Sequence, residues 1–200
     1  FPGCVTGNTS GCFTDGGNDT GTRLIDFNYD GLVDVMRAYS HQYGQTQLAW
    51  VNNGTGWELV NWSFPACGPS NNSGCFSDRG SDMGTRLADL NGDGLTDLVR
   101  AYTIYVYPTL FSYTLAWKNN GTGWENMPWS FPNCSAAGNN AGCFSDTGTD
   151  TGVRLADLNG DGLVDVVKAK RAGGAQNTYT WINNGTGWRS VNWSFPACGP

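Results

Sequence analysis

Histidine occurs once, at His41, and only 14% of the residues are charged, so nucleophile–histidine catalysis and a histidine-rich metal site have almost no material to draw on. Basic residues are few: 11 Lys plus Arg stand against 17 Asp plus Glu, net charge −6, and the longest basic cluster is Lys168-Ala169-Lys170-Arg171. Nucleic acid is therefore not an expected partner, because neutralising phosphates requires a basic face; cations are. No apolar run reaches the length of a membrane span, and no signal peptide opens the chain. Long amphipathic helical stretches are missing as well. Their place is taken by 29 Gly, 8 Pro, 9 Trp, 8 Tyr and 9 Phe, a composition of short strands joined by tight turns. An all-β fold follows as the expectation.

The phrase Phe-Pro-x-Cys occurs at Phe1 to Cys4, Phe64 to Cys67, Phe131 to Cys134 and Phe195 to Cys198, with cysteine spacings of 63, 67 and 64 residues. Three tandem units result, 1–63, 64–130 and 131–194, and 195–200 begins a fourth. The first and last residues share one phase of the repeat, and no polar capping unit is visible at either end. A window from a longer array, or one link in an end-to-end assembly, is expected, with other copies or other repeats as partners. Each unit reads as four strands; in the first they are Thr22–Asp26, Leu32–Tyr39, Thr46–Val51 and Trp57–Phe64. Asn53-Gly54, Asn120-Gly121 and Asn184-Gly185 are read as type I′ hairpin turns. Four antiparallel strands in about 65 residues make one blade-sized sheet.

Every unit contains Asp-x-Asn-x-Asp-Gly-x-x-Asp: Asp26, Asn28, Asp30, Gly31, Asp34; Asp89, Asn91, Asp93, Gly94, Asp97; and Asp157, Asn159, Asp161, Gly162, Asp165. Oxygen donors at alternate positions converge, and Gly at the sixth permits a sharp turn that brings in the carbonyl of the next residue, here Leu32, Leu95 or Leu163. Hard oxygen donors without His or Cys select calcium, giving three expected sites. Asx-rich turns can also close without an ion. Three carboxylates in nine residues repel one another unless a cation compensates, which favours calcium. The twelfth-position Glu of an EF-hand is absent and the flanks read as strands.

Gly84-Thr85-Arg86-Leu87-Ala88-Asp89-Leu90-Asn91-Gly92-Asp93-Gly94-Leu95-Thr96-Asp97-Leu98-Val99 and Trp117-Lys118-Asn119-Asn120-Gly121-Thr122-Gly123-Trp124 resemble FG-GAP/VCBS-type repeats, the calcium-loop blades of integrin α-subunit-like propellers. The resemblance recurs in all three units. It implies a four-stranded blade with calcium between its first two strands. The Cys-bounded loop after Trp-Ser-Phe-Pro departs from that pattern, so the blades are expected either in an open array or as part of a larger propeller.

Cys4 and Cys12, Cys67 and Cys75, and Cys134 and Cys143 bracket Gly/Asn-rich loops and are expected to pair locally, leaving Cys198 over. The rival register joins Cys12 to Cys67, Cys75 to Cys134 and Cys143 to Cys198. Zinc is disfavoured because no His accompanies the cysteines. Disulfides imply an oxidising, extracellular or cell-surface compartment. Nine sequons are present; the Asn-Gly-Thr turn accounts for those at Asn53, Asn120 and Asn184, whereas Asn8, Asn61, Asn71, Asn133 and Asn192 are expected N-glycosylation sites in a eukaryotic source.

Nine Trp recur in phase, a pattern that fits packing between adjacent sheets better than a sugar-binding platform, although glycans stay possible partners. The second hairpin is four residues longer than the first and carries Tyr105, Tyr107, Leu110 and Phe111, expected as an interface, with folding over its own blade as the alternative. Every acid belongs to a repeated set, including Asp15, Asp78, Asp146 and Asp19, Asp82, Asp150 upstream of the loops. Catalysis needs a particular constellation rather than a repeated one, so an enzyme is not expected. A non-enzymatic structural fibre, stalk or surface assembly is favoured over an adhesion or ligand-binding propeller module.

Overall fold

The computed structural model describes residues 1–4, 10–62, 64–65, 67, 74–129, 131–132, 134, 142–172, 175–193 and 196. All regular elements among them are strands. The first repeat carries β1 (Thr14–Asp15), β2 (Asn18–Asp19), β3 (Thr22–Ile25), β4 (Asp34–His41), β5 (Gly44–Asn52) and β6 (Trp57–Val60). The second carries β7 (Ser77–Asp78), β8 (Ser81–Asp82), β9 (Thr85–Ala88), β10 (Asp97–Val106), β11 (Thr109–Asn119) and β12 (Trp124–Met127). The third carries β13 (Ser145–Asp146), β14 (Thr149–Asp150), β15 (Val153–Ala156), β16 (Asp165–Ala172), β17 (Ala175–Asn183) and β18 (Trp188–Val191).

Within each repeat the last four strands form an antiparallel meander, with the acidic loop joining its first two. The expectation of separate four-stranded blades needs correction, because the sheets contain six, six, four and two strands. The cause is a short hairpin at the start of each repeat that sequence reading missed. Hairpin β7–β8 does not join its own meander; it adds to the first repeat's sheet, β7 running parallel to the outer half of β4 with Tyr39 opposite Ser77 and Ser40 opposite Asp78. Hairpin β13–β14 joins β10 in the same way, Tyr102 opposite Ser145 and Thr103 opposite Asp146. The inner half of the same edge is already taken by β3 or β9. Hydrogen bonding therefore crosses the sequence-defined boundaries at 63/64 and 130/131.

The Asn-Gly turns also differ from the type I′ reading. Asn52 lies opposite Trp57, leaving a four-residue loop closed by the Asn53 N–H donating to the Gly56 carbonyl at 3.1 Å. The Asn53 side-chain oxygen accepts from the Thr55 and Gly56 amides and the Thr55 hydroxyl, an Asx cap that needs positive φ only at Gly54.

Two cores result, and each straddles a boundary. One gathers Phe27, Met36, Phe76, Leu98 and the Cys67–Cys75 pair; the other gathers Leu90, Val99, Phe144, Val166 and the Cys134–Cys143 pair. The structure joins Cys4 to Cys12, Cys67 to Cys75 and Cys134 to Cys143, so each bridge closes a loop of its own repeat. Such loops restrict the unfolded chain by about 2.5 kcal/mol each. Cys198 lies outside the described residues.

Candidate metal centre

The three acidic loops share all but one bond of their internal wiring. In the first, Asp26 accepts the amides of Asp30 and Gly31, Asn28 accepts the amide of Asp30, and Asp30 accepts that of Leu32 at 2.8 Å. The Asn28 amide donates to the other oxygen of Asp30 at 2.9 Å. Asp89, Asn91 and Asp93 make the same bonds in the second loop, and Asp157, Asn159 and Asp161 in the third, except that Asp89 and Asp157 accept the amides of Gly92 and Gly160 where Asp26 accepts that of Asp30. Alternate side chains therefore bend the backbone around themselves, and the sixth-position glycines take φ of 84°, 88° and 86°, a region closed to most residues. The loops lie in a row: the Tyr29 ring passes over Gly94 and the Leu163 side chain over Gly92.

The ninth residue does something the ligand pattern did not reveal. Asp34, Asp97 and Asp165 are fully buried. One oxygen of each accepts an amide from the loop, of Phe27, Leu90 or Leu158, and the other accepts the amide of Asn52, Asn119 or Asn183 at 2.8 Å. These aspartates fasten the loop to the end of the third meander strand. A carboxylate oxygen that accepts one hydrogen bond keeps a second lone pair for a cation. Burial first, then the negative charges of Asp93 and Asp89, push the Asp97 carboxyl up to about 6. Asp34 is raised for the same reasons, with Asp30 and Asp26 as its neighbours.

Among the described residues no three His, Cys, Asp or Glu side chains gather closely enough to hold a metal by themselves. Each loop contains a mixed set of oxygen atoms instead, carboxylates and an Asn carboxamide, with the carbonyls of Leu32, Leu95 and Leu163 as the backbone donors expected from the spacing. Hard oxygen donors, mutual repulsion and a glycine turn fit a calcium-sized cation. The middle loop differs, because Lys118 Nζ lies 2.8 Å from Asp93, whereas Val51 and Ile182 occupy the matching positions. Against the cost of burial, the Lys118 ammonium and the Leu95 amide hold Asp93 below the ordinary carboxylate range.

The upstream acids acquire a role that in-phase spacing alone did not specify. Asp19, Asp82 and Asp150 each bind the arginine four residues on, Arg23, Arg86 and Arg154, at 2.6–2.7 Å. Arg23 then lies over the Phe76 ring and Arg86 over Phe144, each 5.2 Å from the centroid and in the next repeat. The tryptophans divide. Trp50 and Trp117 are buried and Trp62 packs on Phe27 of its own repeat, but Trp193 is 47% exposed. Asn61 and Asn192 are exposed, while Asn8, Asn71 and Asn133 lie outside the described residues. At the long hairpin, Leu110 is half-buried and Tyr105, Tyr107 and Phe111 remain exposed, Tyr107 most of all at 85%.

An FG-GAP-like repeat family matches residues 26–100, a span holding the first two acidic loops and the boundary between them. No curated protein matches the chain. FG-GAP-type repeats are structural, non-catalytic units, in keeping with acids that all recur in phase. No helix among the described residues is long and apolar enough to cross a membrane, which says nothing of a β-barrel.

Proposed function

We propose that this chain is an extracellular structural repeat protein in which calcium stiffens the three acidic loops and disulfides staple the start of each repeat. Threefold recurrence of one loop wiring, with oxygen donors at the same positions each time, carries the reading. Calcium would be held by Asp26, Asn28, Asp30 and Asp34, by Asp89, Asn91, Asp93 and Asp97, and by Asp157, Asn159, Asp161 and Asp165, with the Leu32, Leu95 and Leu163 carbonyls. A bound divalent ion neutralises the mutual repulsion of each loop's carboxylates. N-glycans on Asn61 and Asn192 would extend from exposed positions. The assembly is a fibre, stalk or surface layer of repeats joined head to tail.

Calorimetric titration of calcium into chelator-stripped protein tests the proposal. Three sites are expected, each adding about 2.7 kcal/mol of stability at a hundredfold excess over its dissociation constant. An unchanged melting temperature in excess EGTA would refute it. Adhesion through the long hairpin is a second reading, favoured by the exposed Tyr105, Tyr107 and Phe111.

A further inference from the structure

The last meander strand of the first repeat ends beside a cleft of about 330 Å³, whose walls include Leu48 and Ala49 of β5, Leu59 and Val60 of β6, and Asn61 and Trp62 just beyond it. That volume lies at the lower end of small-molecule sites, about 300–1,000 Å³. The walls are fixed from behind. Ala49 pairs with Val60 across the two strands, and the Gln47 carboxamide donates to the Pro65 carbonyl at 2.8 Å. The Trp62 ring packs on Phe27, 4.6 Å between centroids, within the core that forms the joint between the first two repeats. The cleft is therefore pre-formed rather than dependent on its contents.

Two residues of the rim stand out. Leu59 is an apolar side chain 59% exposed, on the edge strand of its sheet, where open backbone groups invite another strand. Asn61 is exposed too, and it begins the sequon Asn61-Trp62-Ser63. The other repeats vary the same two positions. In the second, Asn126 and Pro128 replace Leu59 and Asn61, so both the apolar side chain and the sequon are lost. In the third, Ser190 stands before Asn192, a sequon without the apolar side chain. Of the three repeats, the first combines an exposed leucine with a glycosylation acceptor on one cleft.

We infer that this cleft seats the first sugar of an N-glycan carried by Asn61, so that the glycan is a packed part of the fold and covers Leu59. The inference rests on the glycoprotein part of the reading above and gives that glycan its place. Attachment exchanges one N–H hydrogen of the Asn61 carboxamide for the anomeric carbon of an N-acetylhexosamine, and the lipid pyrophosphate of the sugar donor leaves with the proton. The bound sugar is an uncharged ring with polar edges, apolar C–H faces and an acetyl methyl group. It matches a cleft whose lining side chains carry no charge, Leu59 and the Trp62 indole facing apolar atoms and Gln47 offering a carboxamide. A ligand tethered at the rim needs little intrinsic affinity, because its effective concentration is on the order of millimolar or above. Covering Leu59 removes apolar surface from water, and the outer sugars screen the β6 edge from strand addition.

Melting of the chain secreted from a eukaryotic cell line that attaches high-mannose glycans tests the seat. One sample keeps its glycans, a second is trimmed by endoglycosidase H to the single asparagine-linked sugar, and a third is stripped by peptide N-glycosidase. The trimmed protein should melt with the intact one, and the stripped protein roughly 2–4 °C lower, the shift a modest loss of stability produces in a chain of this length. Ser63→Ala, which removes this sequon while keeping Asn61 uncharged, should melt with the stripped protein, whereas Asn192→Gln should melt with the intact one. Leu59→Ser installs the third repeat's residue and leaves the sequon in place; its intact and stripped forms should melt together. Glycopeptide mass spectrometry on the same samples keeps the two readings apart. Asn61 occupied, with intact and stripped proteins melting together, overturns the seat and leaves the glycoprotein reading standing. A stripping loss that persists at full size in Leu59→Ser overturns the placement. Asn61 without sugar overturns the glycan reading at this position and the seat with it.

Discussion

Asp97 and Asp93 belong to one loop, yet only the removal of Asp97 should destabilise the fold when calcium is absent. Asp97 is fully buried, and its carboxylate is the acceptor for two buried amides, Leu90 at 3.0 Å and Asn119 at 2.8 Å. Asp97→Ala leaves both N–H groups without a partner, and at about 1–3 kcal/mol for each unsatisfied buried donor the loss is roughly 2–6 kcal/mol. That loss belongs to the fold, so it should appear in EGTA as well as in calcium. Asp93 lies at the loop surface and accepts only the exposed amide of Leu95 and the Asn91 and Lys118 side chains. Asp93→Ala should therefore cost within about 0.5 kcal/mol in EGTA. In calcium it should forfeit the middle loop's increment, about 2.7 kcal/mol at a hundredfold excess of ion. Urea unfolding of both variants with and without calcium separates these outcomes, read at the first transition because repeat arrays need not unfold in one step. Hydrogen exchange at the Leu90 and Asn119 amides locates the damage. An Asp97→Ala variant no less stable in EGTA than Asp93→Ala would refute the fastening role assigned to the ninth aspartate.

The remaining predictions concern one loop, one joint and two carboxylates. Lys118→Val, which installs the residue found at position 51, should tighten calcium at the middle loop several-fold, because the ammonium on Asp93 no longer competes; calorimetry would show no change if that contact is unimportant. Phe76→Ala should cost about 3–5 kcal/mol as a fully buried ring, and Phe13→Ala roughly half that in dilute solution, where Phe13 is 44% exposed; equal costs by urea unfolding would contradict the joint geometry. With Asp97 raised to about 6 in the metal-free fold, protonation favours the folded state, so in EGTA its contribution is full below about pH 4 and lost as pH rises through 6; calcium should remove that slope from a stability–pH profile. Asp150 has the opposite sign: the hydrogen-bonded Arg154 guanidinium holds it at about 2, so its contribution stands above about pH 4 and is lost as pH falls towards 2, a dependence that Arg154→Gln should abolish.

What could be read from sequence was what is decided locally. The loop Asp26–Asp34 was legible because its bonds run between residues two to five apart, and alternate Asp and Asn side chains with one glycine leave the backbone few other courses. Meander strands were legible from their aromatic and β-branched content, although β4 starts at Asp34 rather than Leu32 and β6 stops at Val60. Hairpins β1–β2, β7–β8 and β13–β14 were not legible. Ser77-Asp78-Arg79-Gly80-Ser81-Asp82 has no alternating apolar pattern, and β7 lies in the larger sheet because the outer half of β4, belonging to the previous repeat, offers it carbonyls. The fastening role of the ninth aspartate was not legible for a related reason. Spacing placed Asp34 among the expected oxygen ligands, and its further acceptor work depends on Asn52, eighteen residues away, which only the meander brings near.

Periodicity and cooperativity consequently divide this chain at different points. The sequence period cuts at 63/64 and 130/131, whereas the two cores, the parallel strand pairs, the arginine–phenylalanine stacks and the Asn119 and Asn183 hydrogen bonds all span those cuts. A single 65-residue unit would hold its meander but would leave one phenylalanine wet, one strand edge open and one carbonyl without its asparagine. The stability of the array therefore resides as much in the joints as in the units, as nearest-neighbour coupling in a quasi-one-dimensional protein requires. On the calcium reading proposed above, the ion would act on that coupling at one remove. The first two loops each contribute the carbonyl that the next repeat's asparagine takes, Phe27 to Asn119 and Leu90 to Asn183, and that same asparagine's amide is fastened to the ninth aspartate of its own loop. An ion that held one loop in shape would therefore fix both the acceptor offered forward and the donor reaching back, and stiffening would pass along the row of loops without any contact between ions.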